Sequence, residues 1–218
     1  ASEDKSDIIV CHYVREFADG GVEKEKILLQ PGIYDSKKIK EQICPILVCS
    51  GTVPERGLSP NRVTKMFKAD LLRKNISLYN FGITIGEDLL TTFVNVISAN
   101  RISIIGDFYP YHYRINNQSM TAKYAQSKYE KIRQLHHDMV KIDHENGEVF
   151  SEQLSNDYIY LILQQMECEI LFSDYGFKRI ASDLIREYEK LEFQNAVLMC
   201  SKAKLSLKNR VYLNLLKH

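Results

Sequence analysis

The amino-acid sequence predicts a mixed α/β half followed by an all-helical half. In the first 120 residues, short runs rich in Ile, Val and Tyr alternate with turns that contain Gly or Pro, which is typical of strands joined by loops and short helices. Residues 121–218 contain no Pro, and their apolar residues recur at helical spacing, as in YIYLILQQMECEILF. We therefore predict an α/β region at 1–120 and a helical extension at 121–218, with the helices packed against the first region.

The first half is predicted to contain short strands and helices separated by turns. Residues 19–21 (Asp-Gly-Gly) supply turn chemistry between two apolar runs, which predicts a hairpin. Either Asp35 or Ser36 is suited to cap a helix, which Pro45 kinks or restarts. The predicted elements are a strand in SDIIVCHYVREF, a strand at 25–30, a helix from 35, a loop at 51–62, a strand passing into a helix at 63–75, a helix at 86–100, and one or two strands at 101–116.

The second half is predicted to be helical throughout. Its helices are expected at about 121–142, 152–173, 176–190 and 192–214. A His- and Asp-rich stretch in the first of them, QLHHDMVKIDHENG, does not carry metal-ligand spacing and predicts a solvated helix end.

Composition excludes several classes of protein. The chain has 29 basic and 28 acidic residues and a formal net charge of +1, so nothing in the balance indicates a nucleic-acid partner. Its five Cys residues show no C-x-x-C spacing, which favours reduced thiols in a cytoplasmic protein over a zinc site or a disulfide framework. The polar start, ASEDKSD, does not resemble a signal peptide, and no apolar run is long enough for a membrane span.

Two adjacent carboxylates open the helix at 86–100. Glu87 and Asp88 follow Gly86 and precede the apolar run LLTTFVNVI. Acidic residues in a first helical turn favour the helix dipole and can cap free N–H groups, so helix chemistry alone is one explanation. A catalytic base at a helix start is the other explanation.

The order of the surrounding motifs resembles family 2 glycosyltransferases of the GT-A fold over about residues 5–121. That family has a Lys-aromatic-Lys/Arg stretch, then a Gly-Glu-Asp that opens a helix, then a Tyr-x-Tyr-Arg segment ending in Ser or Thr. The matching residues here are Lys65, Phe67 and Lys68; Gly86, Glu87 and Asp88; and Tyr111, Tyr113, Arg114, Asn117 and Ser119. The family usually has Asn before the first Lys, where this chain has Thr64.

The resemblance implies an inverting sugar transfer from a nucleotide-sugar donor to a saccharide or lipid-linked acceptor. Asp88 would be the base that takes the proton from the acceptor hydroxyl, and Glu87 would orient it or bind the acceptor. Arg114, with Lys65 and Tyr113, would bind substrate near the donor diphosphate. A surface residue at a strand end is the other explanation for Arg114, and the one we favour, and Lys65 and Lys68 carry the same ambiguity.

The resemblance also implies a part that this sequence does not contain. Family members carry an Asp-x-Asp that binds a divalent cation, Mn²⁺ or Mg²⁺, on the donor diphosphate, and no Asp-x-Asp occurs here. We therefore expect the chain to be the C-terminal half of a GT-A domain plus its helical extension, with the cation ligands elsewhere. On this view the chain alone is inactive, binds nucleotide sugars weakly, and self-associates through an unfinished sheet.

The basic end of the chain leaves further alternatives open. Residues 191–218 contain five Lys and Arg residues and one acidic residue, Glu192. A helix there could therefore lie on an anionic lipid surface, such as the inner face of the cell membrane. A packed helix with a solvated Lys face explains the same pattern. For the whole chain, the alternative to an enzyme is a non-enzymatic α/β and helical interaction module, in which Glu87 and Asp88 are helix caps.

Overall fold

The computed structural model describes residues 5–25, 28–115 and 128–215, which form a mixed α/β structure with eight α-helices and two sheets in that part of the chain. The chain divides into two units, each assembled from three separate segments. The sheet unit comprises the described parts of 1–47, 56–81 and 87–123. The helical unit comprises the described parts of 48–55, 82–86 and 124–218.

Seven short strands of the sheet unit form two mixed sheets. The first sheet has the order β4-β6-β1-β5 and the second has the order β3-β2-β7. Two pairs are parallel, β1 with β6 and β2 with β7, and the other described pairs are antiparallel. The strands are β1 (Ile8–Val10), β2 (Tyr13–Glu16), β3 (Val22–Lys24), β4 (Gly32–Asp35), β5 (Lys65–Phe67), β6 (Arg101–Ile104) and β7 (Tyr111–Arg114).

The segment predicted as one strand, SDIIVCHYVREF, is two strands that belong to different sheets. The break falls at Cys11 and His12. The Cys11 N–H donates to the Thr64 carbonyl at 2.9 Å, and the His12 N–H donates to the Phe108 carbonyl at 3.1 Å. These long-range bonds turn the chain from one sheet into the other, and sequence periodicity carries no sign of them.

The predicted hairpin forms, but its second strand lies earlier than predicted. β3 (Val22–Lys24) pairs antiparallel with β2, and Glu16 lies opposite Val22. The sequence prediction placed this strand at 25–30 because Ile27, Leu28 and Leu29 are apolar, but the tight turn at 17–21 fixes the register instead. Of the predicted strand, residues 25 and 28–30 are not in strand conformation, and 26–27 lie outside the described residues.

The helical turns of the sheet unit follow the predicted chemistry. The Asp35 carboxylate accepts a hydrogen bond from the Lys38 N–H at 2.9 Å and caps α1 (Ser36–Lys38). The chain then continues through a π-helical turn (Ile39–Ile43) and a 3₁₀ turn (Cys44–Ile46), so the helix changes pitch at Pro45 as expected. Both the cap and the restart predicted from the sequence are confirmed.

The predicted strand-to-helix segment and the helix after Gly86 are also confirmed. α2 (Ala69–Asn75) follows β5, and α3 (Glu87–Ser98) buries the apolar face that the sequence predicts. Leu90, Phe93 and Val94 are almost completely buried. Asn75 Nδ2 donates to Asn95 Oδ1 at 3.1 Å, which links α2 to α3. α3 is therefore fixed by apolar packing and by a buried amide pair.

The helical unit is organised around one long helix. α5 packs against the helices before and after it, and Tyr158 and Phe193 lie at the centre of the core. The helices are α4 (Tyr129–Glu145), α5 (Ser151–Phe172), α6 (Phe177–Tyr188), α7 (Leu191–Met199) and α8 (Leu207–Leu215), with a 3₁₀ turn at Lys202–Lys204. Within the described residues, none of these helices has the length and hydropathy required to cross a bilayer.

The prediction of one continuous helix at 192–214 is wrong. It is interrupted between α7 and α8, where Cys200, Ser201 and Leu205 take extended backbone conformations. Leu205 is buried in the core of the helical unit, and the Ser206 hydroxyl accepts a hydrogen bond from the Asn209 N–H at 3.2 Å. Burial of Leu205 and a new N-cap at Ser206 therefore replace a continuous helix. For the first predicted helix, the part at 121–127 lies outside the described residues.

His136 gives the helical unit a testable dependence on pH. Its ring stacks on Tyr158 with centroids 4.2 Å apart, and burial, reinforced by His137 and opposed by Glu192, lowers its pKa to about 4. The unfolded chain binds a proton near pH 6.5 and the folded chain does not, so stability falls as pH falls from 6.5 to 4. Between pH 7 and pH 5, the free energy of unfolding should fall by about 2 kcal/mol less in His136→Gln than in the wild type, as measured by urea unfolding.

His137→Gln is the matched control for this test. His137 lies next in the chain and its side chain is largely exposed. Its replacement should leave most of the acid loss in place, because burial and not His137 is the largest cause of the lowered His136 pKa. An identical pH dependence for wild type and His136→Gln would show that His136 is not the group responsible.

Candidate functional site

Gly86 sets the direction in which α3 begins. Its φ angle is +73°, a conformation that residues with a side chain rarely adopt. A Cβ atom at this position would clash with Cδ2 of the buried Leu135. Both the backbone and the packing therefore call for Gly immediately before Glu87 and Asp88, which occupy the first two positions of α3.

Asp88 is held by a side chain from a neighbouring turn. The Arg62 Nε donates to Asp88 Oδ1 in a short ion pair, and the Asp88 side chain keeps 34% of its surface exposed. Arg62 lies in a 3₁₀ turn (Arg62–Thr64), and the preceding loop is tied to α3 because the Thr92 hydroxyl donates to the Pro60 carbonyl at 2.8 Å. Asp88 is thus oriented and accessible at the same time.

Lys65 is a nearly buried cation whose charge interacts with this carboxylate. Its Nζ donates to the Asn61 carbonyl at 2.9 Å and to the Ser59 carbonyl at 2.5 Å. Burial lowers the pKa of the Lys65 ammonium to about 8, while the charges of Glu25 and then Asp88 oppose the decrease. Lys65 therefore remains mostly charged at neutral pH, and its field acts on Asp88.

Two further polar side chains that were not predicted from the sequence interact with Lys65 or its neighbour. His12 is almost fully buried, and its Nδ1 lies 3.5 Å from Glu25 Oε2. Burial raises the pKa of the Glu25 carboxyl, although His12 and Lys65 act in the opposite direction. Among the described residues His12 Nε2 has no hydrogen-bond partner. The one signal in the sequence was a pair of polar residues, Cys11 and His12, inside an otherwise apolar run.

Cys11 completes this buried group without being a free nucleophile. Its Sγ donates to the Thr64 carbonyl at 3.2 Å, and burial raises the pKa of the thiol. Cys11, His12 and Glu25 line a cavity of about 20 Å³, which has room for about one water molecule. The cavity is too small for a sugar.

The other predicted site residues lie on β7. Arg114 is 84% exposed, and its Nε lies 3.5 Å from Glu16 Oε2 on the parallel strand β2. The Tyr113 ring makes an edge contact with Tyr13, with centroids 6.4 Å apart. The structure therefore brings Lys65 and Asp88 together, whereas the described contacts of Arg114 and Tyr113 are with β2. Asn117 and Ser119 lie outside the described residues.

The surroundings of Asp88 do not suit a divalent cation. Arg62 and Lys65 already place two positive groups beside the carboxylate, and a dication would be repelled by them. Within residues 5–25, 28–115 and 128–215, no group of three or more His, Cys, Asp and Glu side chains is arranged to hold a metal ion.

A second cavity, which lies in the helical unit, is lined by polar residues, and the hydrogen bonds of Asp143 in its lining are structural. It has a volume of about 460 Å³ and is lined in part by Arg133, His137, Asp143 and His144. Asp143 accepts hydrogen bonds from the Phe150 N–H at 3.0 Å and the Ser151 hydroxyl at 3.1 Å. The expected solvated helix end is thus wrong for Asp143, which is buried and joins α4 to the start of α5.

Comparison with known proteins does not assign the chain to a family, since no protein-family model and no curated protein matches it. The resemblance described above therefore rests on the ordered motifs alone.

Proposed function

We propose that the sheet unit is the acceptor-side part of an inverting glycosyltransferase of the GT-A type, with Asp88 as the catalytic base. The observation that supports this proposal most is the setting of Asp88. A residue that serves only as a cap needs nothing beyond backbone N–H groups, but Asp88 is oriented by the Arg62 guanidinium, lies near the Lys65 ammonium, and remains accessible.

The proposed reaction is a single displacement at the anomeric carbon of a nucleotide sugar. The acceptor hydroxyl oxygen forms a bond to that carbon from the face opposite the nucleoside diphosphate. The bond between the anomeric carbon and the diphosphate breaks, and its electron pair leaves with the diphosphate. The hydroxyl proton passes to the Asp88 carboxylate, with Oδ2 as the acceptor because Oδ1 receives the bond from Arg62.

Arg62 acts on this step through geometry. Its contact fixes the position of the Asp88 carboxylate, and fixed geometry is a major source of rate enhancement. In this proposal Arg62 and Lys65 are positioning residues, and Glu87 lies beside Asp88 where it can contact the acceptor.

The substrate-binding residues of β7 complete the proposal. Arg114 has an exposed guanidinium that a phosphate could engage in two parallel hydrogen bonds. Tyr113 offers an aromatic edge next to it. A divalent cation in the complete enzyme would neutralise the leaving diphosphate, and its ligands would come from residues other than those around Asp88.

The proposed glycosyltransferase class is tested by a survey of nucleotide-sugar donors, made with the full protein that the gene encodes. The protein is incubated with uridine, guanosine, cytidine and thymidine nucleotide sugars, with and without saccharide acceptors and with Mn²⁺ or Mg²⁺. We expect one donor to release its nucleotide in an acceptor-dependent reaction, and NMR of the product to show an inverted anomeric configuration. Retention of configuration, or no turnover with any donor, would favour the interaction-module alternative or another enzyme class.

A further inference from the structure

The last described helix, α8, presents two different surfaces. Asn209 and Leu213 are buried, and α8 packs through this side against α5. Leu207, Val211 and Leu215 are 73%, 48% and 68% exposed. These three residues are four positions apart, so they form one stripe along the helix, on the side opposite the buried residues.

The cations of this part of the chain outnumber the acidic side chains that pair with them. Residues 193–215 contain four cations, Lys202, Lys204, Lys208 and Arg210, and no Asp or Glu. Lys204 pairs with Glu152 at 3.0 Å and Lys208 pairs with Glu167 at 2.6 Å. Lys202 and Arg210 are exposed, and no ion pair to either exists among the residues that the structure describes.

Exposed apolar side chains also occur at the end of α7, the helix that precedes α8 in the chain. Leu198 and Met199 end α7 and are 83% and 56% exposed. The segment 198–215 therefore combines large exposed apolar side chains with cations that no acidic residue of the same segment neutralises. Single exposed apolar residues are common on protein surfaces, but a stripe bordered by unpaired cations marks an interaction surface.

We propose that residues 198–215 bind the surface of an anionic membrane. Leu207, Val211 and Leu215 would enter the boundary between headgroups and acyl chains, while Lys202 and Arg210 would contact lipid phosphates. An apolar stripe bordered by cations is typical of helices that lie in this interface. A lipid surface fits better than a protein partner because Lys202 and Arg210 are exposed cations without an acidic partner among the described residues, and a headgroup layer supplies negative charge all along the segment. The proposal does not depend on the proposed sugar transfer.

The test is co-sedimentation of the full chain with vesicles. Vesicles of phosphatidylcholine alone are compared with vesicles in which about a third of the lipid is phosphatidylglycerol. We expect binding only to the anionic vesicles, and a decrease on raising the salt concentration. Replacing Leu207, Val211 and Leu215 together with Gln should weaken binding more than tenfold. Replacing Lys202 and Arg210 with Gln should weaken it by about fivefold for each cation.

The matched control replaces three exposed apolar residues of the sheet unit, Val22, Val63 and Met66, with Gln. This variant should bind like the wild type. Equal binding by all variants, or no binding to anionic vesicles, would overturn the proposal. So would a stable self-associated species in sedimentation velocity that the stripe variant alone abolishes, because the stripe would then be covered by a second copy of the chain. Thermal unfolding in the absence of lipid confirms that each variant is folded.

Discussion

Replacing Asp88 with asparagine should reduce turnover by a large factor, on the order of the hundred- to ten-thousand-fold that general bases contribute. The amide keeps the shape of the side chain, and its oxygen can still accept the hydrogen bond from Arg62. What it loses is the ability to accept the proton of the acceptor hydroxyl. The measurement is acceptor-dependent release of nucleotide from the donor, made on the protein as its gene encodes it.

Asp70→Asn is the matched control for this variant. Asp70 and Asp88 each occupy the second position of a helix, in α2 and α3, and each forms an ion pair with an arginine. Both changes therefore remove a similar interaction with a helix dipole, worth about 0.3–1 kcal/mol. If the two variants retain the same turnover, Asp88 is a helix-terminal acid and not a base. The interaction-module alternative would then be the better explanation.

Phe193→Ala should lower the free energy of unfolding of the helical unit by about 3–5 kcal/mol. Phe193 is fully buried on α7 and meets the rings of Tyr158 and Tyr188 at centroid distances of 6.1 and 5.8 Å. Truncation removes apolar contacts with both rings and leaves a cavity that the packed helices cannot close. Urea unfolding followed by circular dichroism measures the change.

The control for Phe193 lies on the same helix. Leu198 is 83% exposed, so Leu198→Ala removes a large apolar side chain without opening a cavity, and it should change stability by no more than about 0.5 kcal/mol. A comparable loss of stability in the two variants would mean that α7 is stabilised by its helical sequence and not by the burial of one face.

Local chemistry made much of the sheet unit predictable. The cap at Asp35, the restart at Pro45 and the apolar face of the helix after Gly86 each depend on residues within one or two turns. Such short-range signals are present in the sequence itself. The prediction of a helix opening at Glu87 and Asp88 needed no knowledge of the rest of the fold.

The surroundings of Asp88 could not be predicted in the same way. His12, Glu25, Lys65 and Asp88 come from four separate segments of the chain, and only long-range contacts bring them close. The interruption between α7 and α8 is similar, since no Gly or Pro marks it and the burial of Leu205 decides it. In both cases contacts between distant segments determine the outcome, and a pattern of residue types along the chain does not report them.

The two parallel strand pairs also bear on how the protein folds. Ile8 lies opposite Ile102 and Val14 lies opposite His112, so both sheets join the beginning of the chain to a segment far along it. A long loop must close before these pairs form, and proteins rich in such distant contacts fold slowly. The contacts among α4, α5, α6 and α7 link helices that are adjacent in the chain or one helix apart. On these grounds the helical contacts can form early. The sheets form only after the distant segments of the sheet unit have met, and the buried group around Lys65 forms with them.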